Sequence, residues 1–107
     1  MPPVTRFVAF KYKPATTDEQ KRRVVGDLVE LYKKHADFVN HGPVGGKNNN
    51  PDGFDKGFDV VFTLEFKSEK HRDDFIPQPD HIAFKSSIMP FLEDVLLYDF
   101  VKGEYGY

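Results

Sequence analysis

An α+β fold is predicted, a sheet of four strands covered by helices in the order β-α-β-β-α-β. Three observations predict it. Residues 58–67 alternate strictly, with Phe58, Val60, Phe62, Leu64 and Phe66 on one side and Asp59, Val61, Thr63 and Glu65 on the other. Residues 17–36 instead place Val24, Leu28 and Leu31 at helical spacing, joined by Val25 and Tyr32. The segment Phe75-Ile76-Pro77-Gln78-Pro79-Asp80-His81-Ile82-Ala83-Phe84 then starts another helix ahead of a last apolar run. Two halves of this kind make a four-stranded antiparallel sheet with its helices on one face, the ferredoxin-like layout.

Each element has its own signal. Val4 to Tyr12 reads as a strand in which Phe7, Ala9 and Lys11 alternate with Val8, Phe10 and Tyr12, so both faces are mixed. Pro14-Ala15-Thr16 ends it. Thr17-Asp18-Glu19-Gln20 matches a capping box, with Thr17 at the N-cap and Gln20 three residues on. The helix runs to about Ala36, with Lys33, Lys34 and His35 in its last turns, where cations suit the dipole. Phe38 to Lys47 is a short, irregular strand weakened by Gly42, Gly45 and Gly46, and Asn48 to Gly53 is a turn cluster.

Ser68-Glu69-Lys70 opens a short helix that carries Phe75 and Ile76 and is stopped by Pro77 and Pro79. Pro79 suits the first position of the following helix, with Gln78 as its N-cap. His81, Phe84, Ile88, Phe91 and Val95 continue in helical register, and Pro90 kinks this pattern or ends it a turn early. Val95 to Val101 is the last strand, and Lys102 to Tyr107 is a polar, aromatic tail. Residues 1–107 fit a single domain with its core at 4–101.

Composition narrows the function classes. Apolar residues make up 39% of the chain and 11 of them are Phe, so aromatic rings carry much of the core. There is no cysteine, hence no disulfide or thiolate metal site. No run of ~18 apolar residues is present to span a membrane. The stretch Met1 to Arg6 lacks a signal-like apolar segment, so a cytoplasmic location is expected. Net charge is -2 with the two signs interspersed, and Lys21-Arg22-Arg23 is flanked by Glu19 and Asp27, which argues against nucleic acid as a partner.

His81 is the candidate for chemistry. It shares a helix side with apolar residues, and its reference pKa of about 6.5 suits a general base at neutral pH. Tyr32 and Tyr98 are weaker candidates to assist, as are Tyr12, Arg6 and Asp99. A pocket between sheet and helices would be lined by Phe7, Phe58, Val60, Phe62, Phe75, Phe84 and Ile88, and would take a flat hydrophobic or aromatic ligand. The competing reading makes His81 a buried structural histidine that bonds a strand carbonyl or Asp99. His35, His41 and His71 show no H-x-x-x-H spacing, and no metal or other cofactor is expected. Asp73-Asp74 is a solvated face rather than a dyad, since adjacent helical side chains diverge. Gly42 to Lys47 lacks the spacing of a phosphate loop.

Four blocks in register carry a family resemblance: Phe7-Val8-Ala9-Phe10-Lys11-Tyr12-Lys13, Gly57-Phe58-Asp59 leading into Val60 to Phe66, Pro79-Asp80-His81-Ile82-Ala83-Phe84, and Val95-Leu96-Leu97-Tyr98-Asp99-Phe100. Over Val4 to Val101 the chain resembles the stress-responsive dimeric α/β-barrel (Dabb) domain family. The resemblance implies a homodimer whose two sheets face each other, with a pocket in each subunit. It also implies, from a plant polyketide cyclase of the family, that a histidine at the position of His81 acts as base and that a tyrosine at the position of Phe75 assists. This chain keeps the histidine and has Phe at 75. Histidines of that cyclase correspond here to Val60 and Arg6, and Gln78 replaces a histidine often found before the proline.

Two functions follow as expectations. One is a stress-responsive barrel protein with a small hydrophobic pocket, acting as a cofactor-free cyclase or lyase on a polyketide-like or aromatic molecule. The other is a non-catalytic, stress-associated homodimer in which His81 is structural. Fold analogy alone adds a cofactor-free oxygenase.

Overall fold

A computed structural model describes residues 1–107. Its elements are β1 (Val4–Tyr12), α1 (Asp18–Lys34), β2 (Val39–Lys47), β3 (Val60–Phe66), α2 (Glu69–Phe75), α3 (Pro79–Ile88) and β4 (Leu92–Phe100). The strands form one antiparallel sheet in the order β2-β3-β1-β4, with β1 paired to both β3 and β4. This is the ferredoxin-like fold, with α2 as a third helix inserted ahead of α3. No helix is long and apolar enough to cross a membrane.

Local chemistry sets the helix ends. Thr17 Oγ1 accepts the Gln20 amide at 3.1 Å while Gln20 Oε1 accepts the Thr17 amide at 2.9 Å, so the capping box of α1 is complete. Val24, Leu28, Leu31 and Tyr32 form its buried stripe. Ser68 caps α2 by accepting the His71 amide. Pro79 sits in the first turn of α3, but Gln78 makes no side-chain cap and instead donates to the Asp74 carbonyl at 3.0 Å. Pro90 lacks an amide hydrogen, and α3 ends at Ile88, before a 3₁₀ turn over Met89–Phe91 that contains it.

Three boundaries differ from the sequence reading. β4 begins at Leu92, not Val95, because the chain enters the sheet directly from the 3₁₀ turn. β3 begins at Val60, and Phe58 lies outside it: the Phe58 amide donates to Asp55, closing a turn, and the Asp59 carboxylate accepts the Tyr12 amide at 2.8 Å. β2 is a full nine-residue strand with irregular register near His41 and a cis Gly42–Pro43 bond. Its glycines do not weaken it but allow close approach. A Cβ on Gly45 would collide with the Val61 carbonyl, and one on Gly42, at φ +88°, would lie 2.8 Å from the Leu64 Cα.

The register sorts the two sheet faces. Arg6, Val8, Phe10 and Tyr12 of β1 face the helices with Phe62, Leu64 and Phe66 of β3, and Asp99, opposite Arg6, belongs to the same face of β4. The other face carries Phe7, Ala9, Val61, Leu96, Tyr98 and Phe100. Leu96 is 44% exposed and Tyr98 61%. Under the helices, Phe66 and Phe75 are fully buried. The Phe75 ring lies 4.9 Å from Tyr32, 5.5 Å from His35, 5.5 Å from Phe66 and 4.5 Å from His81, centroid to centroid.

Phe75→Ala is therefore expected to cost about 3–5 kcal/mol in denaturant unfolding, the range for a large buried aromatic; a loss below about 1 kcal/mol would contradict this packing. Gly45→Ala should destabilise by roughly 1–3 kcal/mol through the forced shift of β2 against β3. Gly46→Ala, where an added Cβ meets nothing within 4 Å, is the matched control and should change stability far less.

Candidate functional site

The helix-side face of β1 and β4, with α1 and α3 above it, forms a partly open cavity of about 250 Å³. Its walls are mostly apolar, among them Val8, Phe10, Leu28, Leu31, Phe84, Ile88 and Leu97. Its polar groups are His81, Tyr32, Arg6 and Lys85. Sheet alternation delivers Arg6, Val8 and Phe10 to it. On α3, His81, Lys85 and Ile88 succeed one another at helical spacing, and on α1 Leu28, Leu31 and Tyr32 do the same.

His81 is 9% exposed, and its Nδ1 is 2.8 Å from the Ile76 carbonyl. A carbonyl only accepts, so Nδ1 carries the proton and Nε2 holds the free lone pair. Nε2 makes no hydrogen bond within the chain, yet the one fully enclosed, unpartnered side-chain polar atom is Tyr12 Oη. Nε2 therefore opens onto the cavity. Burial lowers the His81 pKa, the Ile76 bond partly opposes this, and the charges of Lys85 and Arg6 lower it further against a small pull from Asp80. The imidazole is neutral and basic at neutral pH.

The Tyr32 hydroxyl oxygen accepts from the Arg6 guanidinium, which leaves the phenolic proton free to be donated. Burial raises its pKa, and the nearby Arg6 guanidinium only partly counters this, so it remains a donor. Tyr32 and His81 both pack on Phe75. Arg6 is 3% exposed and grips Asp99 with two bonds, Nε to Oδ1 at 2.9 Å and Nη2 to Oδ2 at 3.0 Å. Burial opposes its charge, but Asp99 and Tyr32 outweigh that and its pKa is raised. Its guanidinium also stacks 5.0 Å above the Phe66 ring.

The cavity brings together only some of the residues expected from sequence. His81, Tyr32, Phe84 and Ile88 line it. Tyr98 and Phe7 do not: they are paired opposite one another on the outer face of the sheet, one residue out of phase with Arg6 and Asp99. Phe62 packs against Phe10 in the core, and Phe75 lies beneath Tyr32 and His81 as a platform without lining the cavity. Phe58 and Val60 line a different, largely polar cleft of about 580 Å³ beside Tyr12, Lys21 and Asp59. His81 bonds the end of α2 rather than a strand carbonyl, and Asp99 is taken by Arg6. Lys85, Val8, Phe10, Leu28, Leu31, Met89, Val95 and Leu97 were missed. The even-numbered phase of β1 and the step of four from His81 to Lys85 were the signals that could have found them.

The other histidines are elsewhere. His35 binds the Asp80 carboxylate at 2.8 Å, tying α1 to the start of α3, and lowers the Asp80 pKa. His41 lies 3.4 Å from Glu65, which Asn40 and Lys102 also contact. His71 bonds Ser68 at 2.6 Å. No group of three or more His, Cys, Asp or Glu side chains is arranged to hold a metal ion.

Comparison with known proteins follows this geometry closely in fold. The family model described as Stress responsive A/B Barrel Domain matches residues 4–102. Olivetolic acid cyclase of Cannabis sativa is 24% identical over 102 residues, covering 91% of this chain and 94% of the cyclase. Hydroxynitrile lyase from Passiflora edulis superposes with a TM-score of 0.85 at 18% identity, covering 96% of this chain and 95% of the lyase. A dimeric ferredoxin-like protein of unknown function from Thermobifida fusca superposes at 0.77 with 18% identity, over 94% and 91% of the two chains. At such identities the structural matches speak for the fold.

The His81 geometry has a direct readout. Ring nitrogen shifts in NMR should report the Nδ1–H tautomer and a titration midpoint below the free value of about 6.5; an Nε2–H tautomer or a midpoint above that value would contradict the site. Because the folded pKa is depressed, the unfolded chain binds more protons between the two values. The associated stability is fully present above about pH 6.5 and is lost as pH falls through the folded midpoint. Unfolding free energies of the native chain and His81→Gln, compared over mildly acidic pH, should converge as pH drops.

Proposed function

The chain belongs to the stress responsive A/B barrel domain family, and from that premise we propose that it is an acid/base enzyme making or breaking a carbon–carbon bond beside an oxygen, using its own side chains alone. The observation that carries this is the convergence of a neutral His81 Nε2 and the Tyr32 hydroxyl on one apolar cavity. A cyclase and a lyase among its relatives support the same class of chemistry.

Both directions pass through one alkoxide. In closure, Nε2 takes a proton from the carbon next to a carbonyl, and that carbon's electron pair attacks a second carbonyl, whose oxygen becomes the alkoxide. In cleavage, Nε2 takes the hydroxyl proton, the oxygen pair forms the carbonyl, and the carbon–carbon pair leaves on the departing carbon. The imidazolium then returns its proton to the alkoxide or to that carbon. Tyr32 donates to the alkoxide in either direction, supplying from α1 the hydroxyl that Phe75 cannot. The apolar wall excludes water and strengthens that bond. The cavity falls below the range of about 300–1,000 Å³ that suits drug-sized ligands, so a compact, one-ring substrate fits it better than a long chain.

The homodimer is proposed to form through the exposed sheet face of Phe7, Leu96, Tyr98 and Phe100, as dimeric relatives of the same fold suggest. A partner sheet would cover apolar side chains that water now meets.

A second, non-catalytic reading has its own support: the Nδ1–Ile76 bond makes His81 a brace between α2 and α3. Turnover of an aromatic hydroxynitrile and of a short linear polyketide thioester separates the two. His81→Ala should lower a measured rate by about 10²–10⁴-fold, and Tyr32→Phe, which keeps the stacked ring, by about 10²–10³-fold. If His81→Ala loses stability while neither compound class is ever turned over by the native chain, His81 is structural. For assembly, sedimentation should show a dimer that Tyr98→Glu converts to folded monomer; an unchanged dimer would place the interface elsewhere.

A further inference from the structure

We propose that the His81 cavity selects a compact apolar ligand bearing a carboxylate, held by Arg6 and Lys85. The inference rests on reading this cavity as the substrate site, and it goes further by naming the substrate class. Two cations line the cavity and no acidic side chain does. An apolar pocket with two positive groups and no negative one fits a ligand that is apolar at one end and anionic at the other.

Arg6 is placed for this. Its Nε and Nη2 bond Asp99, and the guanidinium also reaches the Tyr32 hydroxyl oxygen, so it is held at the cavity it lines with N–H groups to spare. Asp99 pairs with the guanidinium but is not itself among the residues that line the cavity. It is also reached by Arg72 at 3.5 Å, and Arg72 contacts Glu69 and Asp73 at the surface. Arg6 is in addition fixed over the Phe66 ring, so little side-chain freedom remains to be lost when it binds an anion.

Lys85 supplies the second charge. It follows His81 by one helical turn and makes no ion pair within the chain, the nine pairs all involving other residues. The joint effect of Lys85 and Arg6 on His81, which both make less basic, shows that their fields reach the cavity. A carboxylate between these cations, with its ring against Leu31, Phe84 and Leu97, leaves the substituent on that ring to meet Nε2 and Tyr32.

Binding of benzoate and of its uncharged isostere benzamide, followed by NMR shifts of the cavity residues, tests this without any turnover. Benzoate should bind about tenfold or more tightly than benzamide, the scale of a charge-assisted hydrogen bond. The preference should shrink with added salt, and several-fold in Lys85→Gln and in Arg6→Gln. Lys85→Gln carries the test if Arg6→Gln fails to fold, and His81→Ala should keep the preference. Equal binding of the two compounds, or binding of neither at millimolar concentration, would overturn the proposal. Equal binding with a working His81-dependent activity would leave the acid/base reading standing. Benzoate preference without any turnover would do the reverse.

Discussion

The stacking around Phe75 is the contact on which the rest of the molecule depends. One fully buried ring touches Tyr32 from α1, Phe66 from β3 and His81 from α3, while itself belonging to the last turn of α2. Four elements are thereby fixed against one another. Aromatic pairs at these separations add about 0.5–1.5 kcal/mol each beyond the area they bury. The same ring orients the two side chains that open into the cavity. Stability and site geometry are in this sense one problem, because the platform beneath the imidazole is also the centre of the core. The His35–Asp80 pair reinforces the arrangement from the rim, joining the end of α1 to the start of α3 one residue before His81.

The cavity combines an imidazole that burial and neighbouring cations keep neutral with a phenol that burial keeps protonated. Neither state needs an external partner. His81 is held by one backbone carbonyl, which sets the tautomer, and Tyr32 is held by ring stacking and by the Arg6 guanidinium at its oxygen. Tyr32 thus brings a hydroxyl to the cavity from α1, while Phe75 beneath it contributes only its ring. Arg6 has a larger effect, since it brings a permanent charge, paired with Asp99, to the cavity.

Much of the fold was legible because its signals are local. The capping box of α1, the strict alternation of β3 and the prolines around α3 each name an element without tertiary information. The cavity was less legible, for a definite reason. On β1 both phases are apolar, Phe7 and Ala9 on one and Val8 and Phe10 on the other, so composition does not say which faces the helices. On β4 the phase with Tyr98 looks as suited to a pocket as the phase with Leu97. Only pairing decides, and pairing is a long-range property: Arg6 meets Asp99 across 93 residues of chain. Phe58 was misplaced for the opposite reason. The alternation continues through it, but the Asp55 turn and the Asp59–Tyr12 bond pull the backbone out of the ladder before the sheet begins.

β1 has a further consequence, because it is bonded on both sides and its alternate residues serve the cavity and the outer face. Arg6, Val8 and Phe10 shape the cavity, while Phe7 and Ala9, interleaved with them, shape the outer face. Neighbouring residues on a strand share their peptide planes, so a displacement that suits one surface is transmitted to the other within a single bond. Variation at this strand is therefore doubly constrained: the shape of the cavity and the shape of the outer face cannot drift independently there. α3, which packs on the helix side of the sheet, is the element on which the cavity can be altered without disturbing that outer surface.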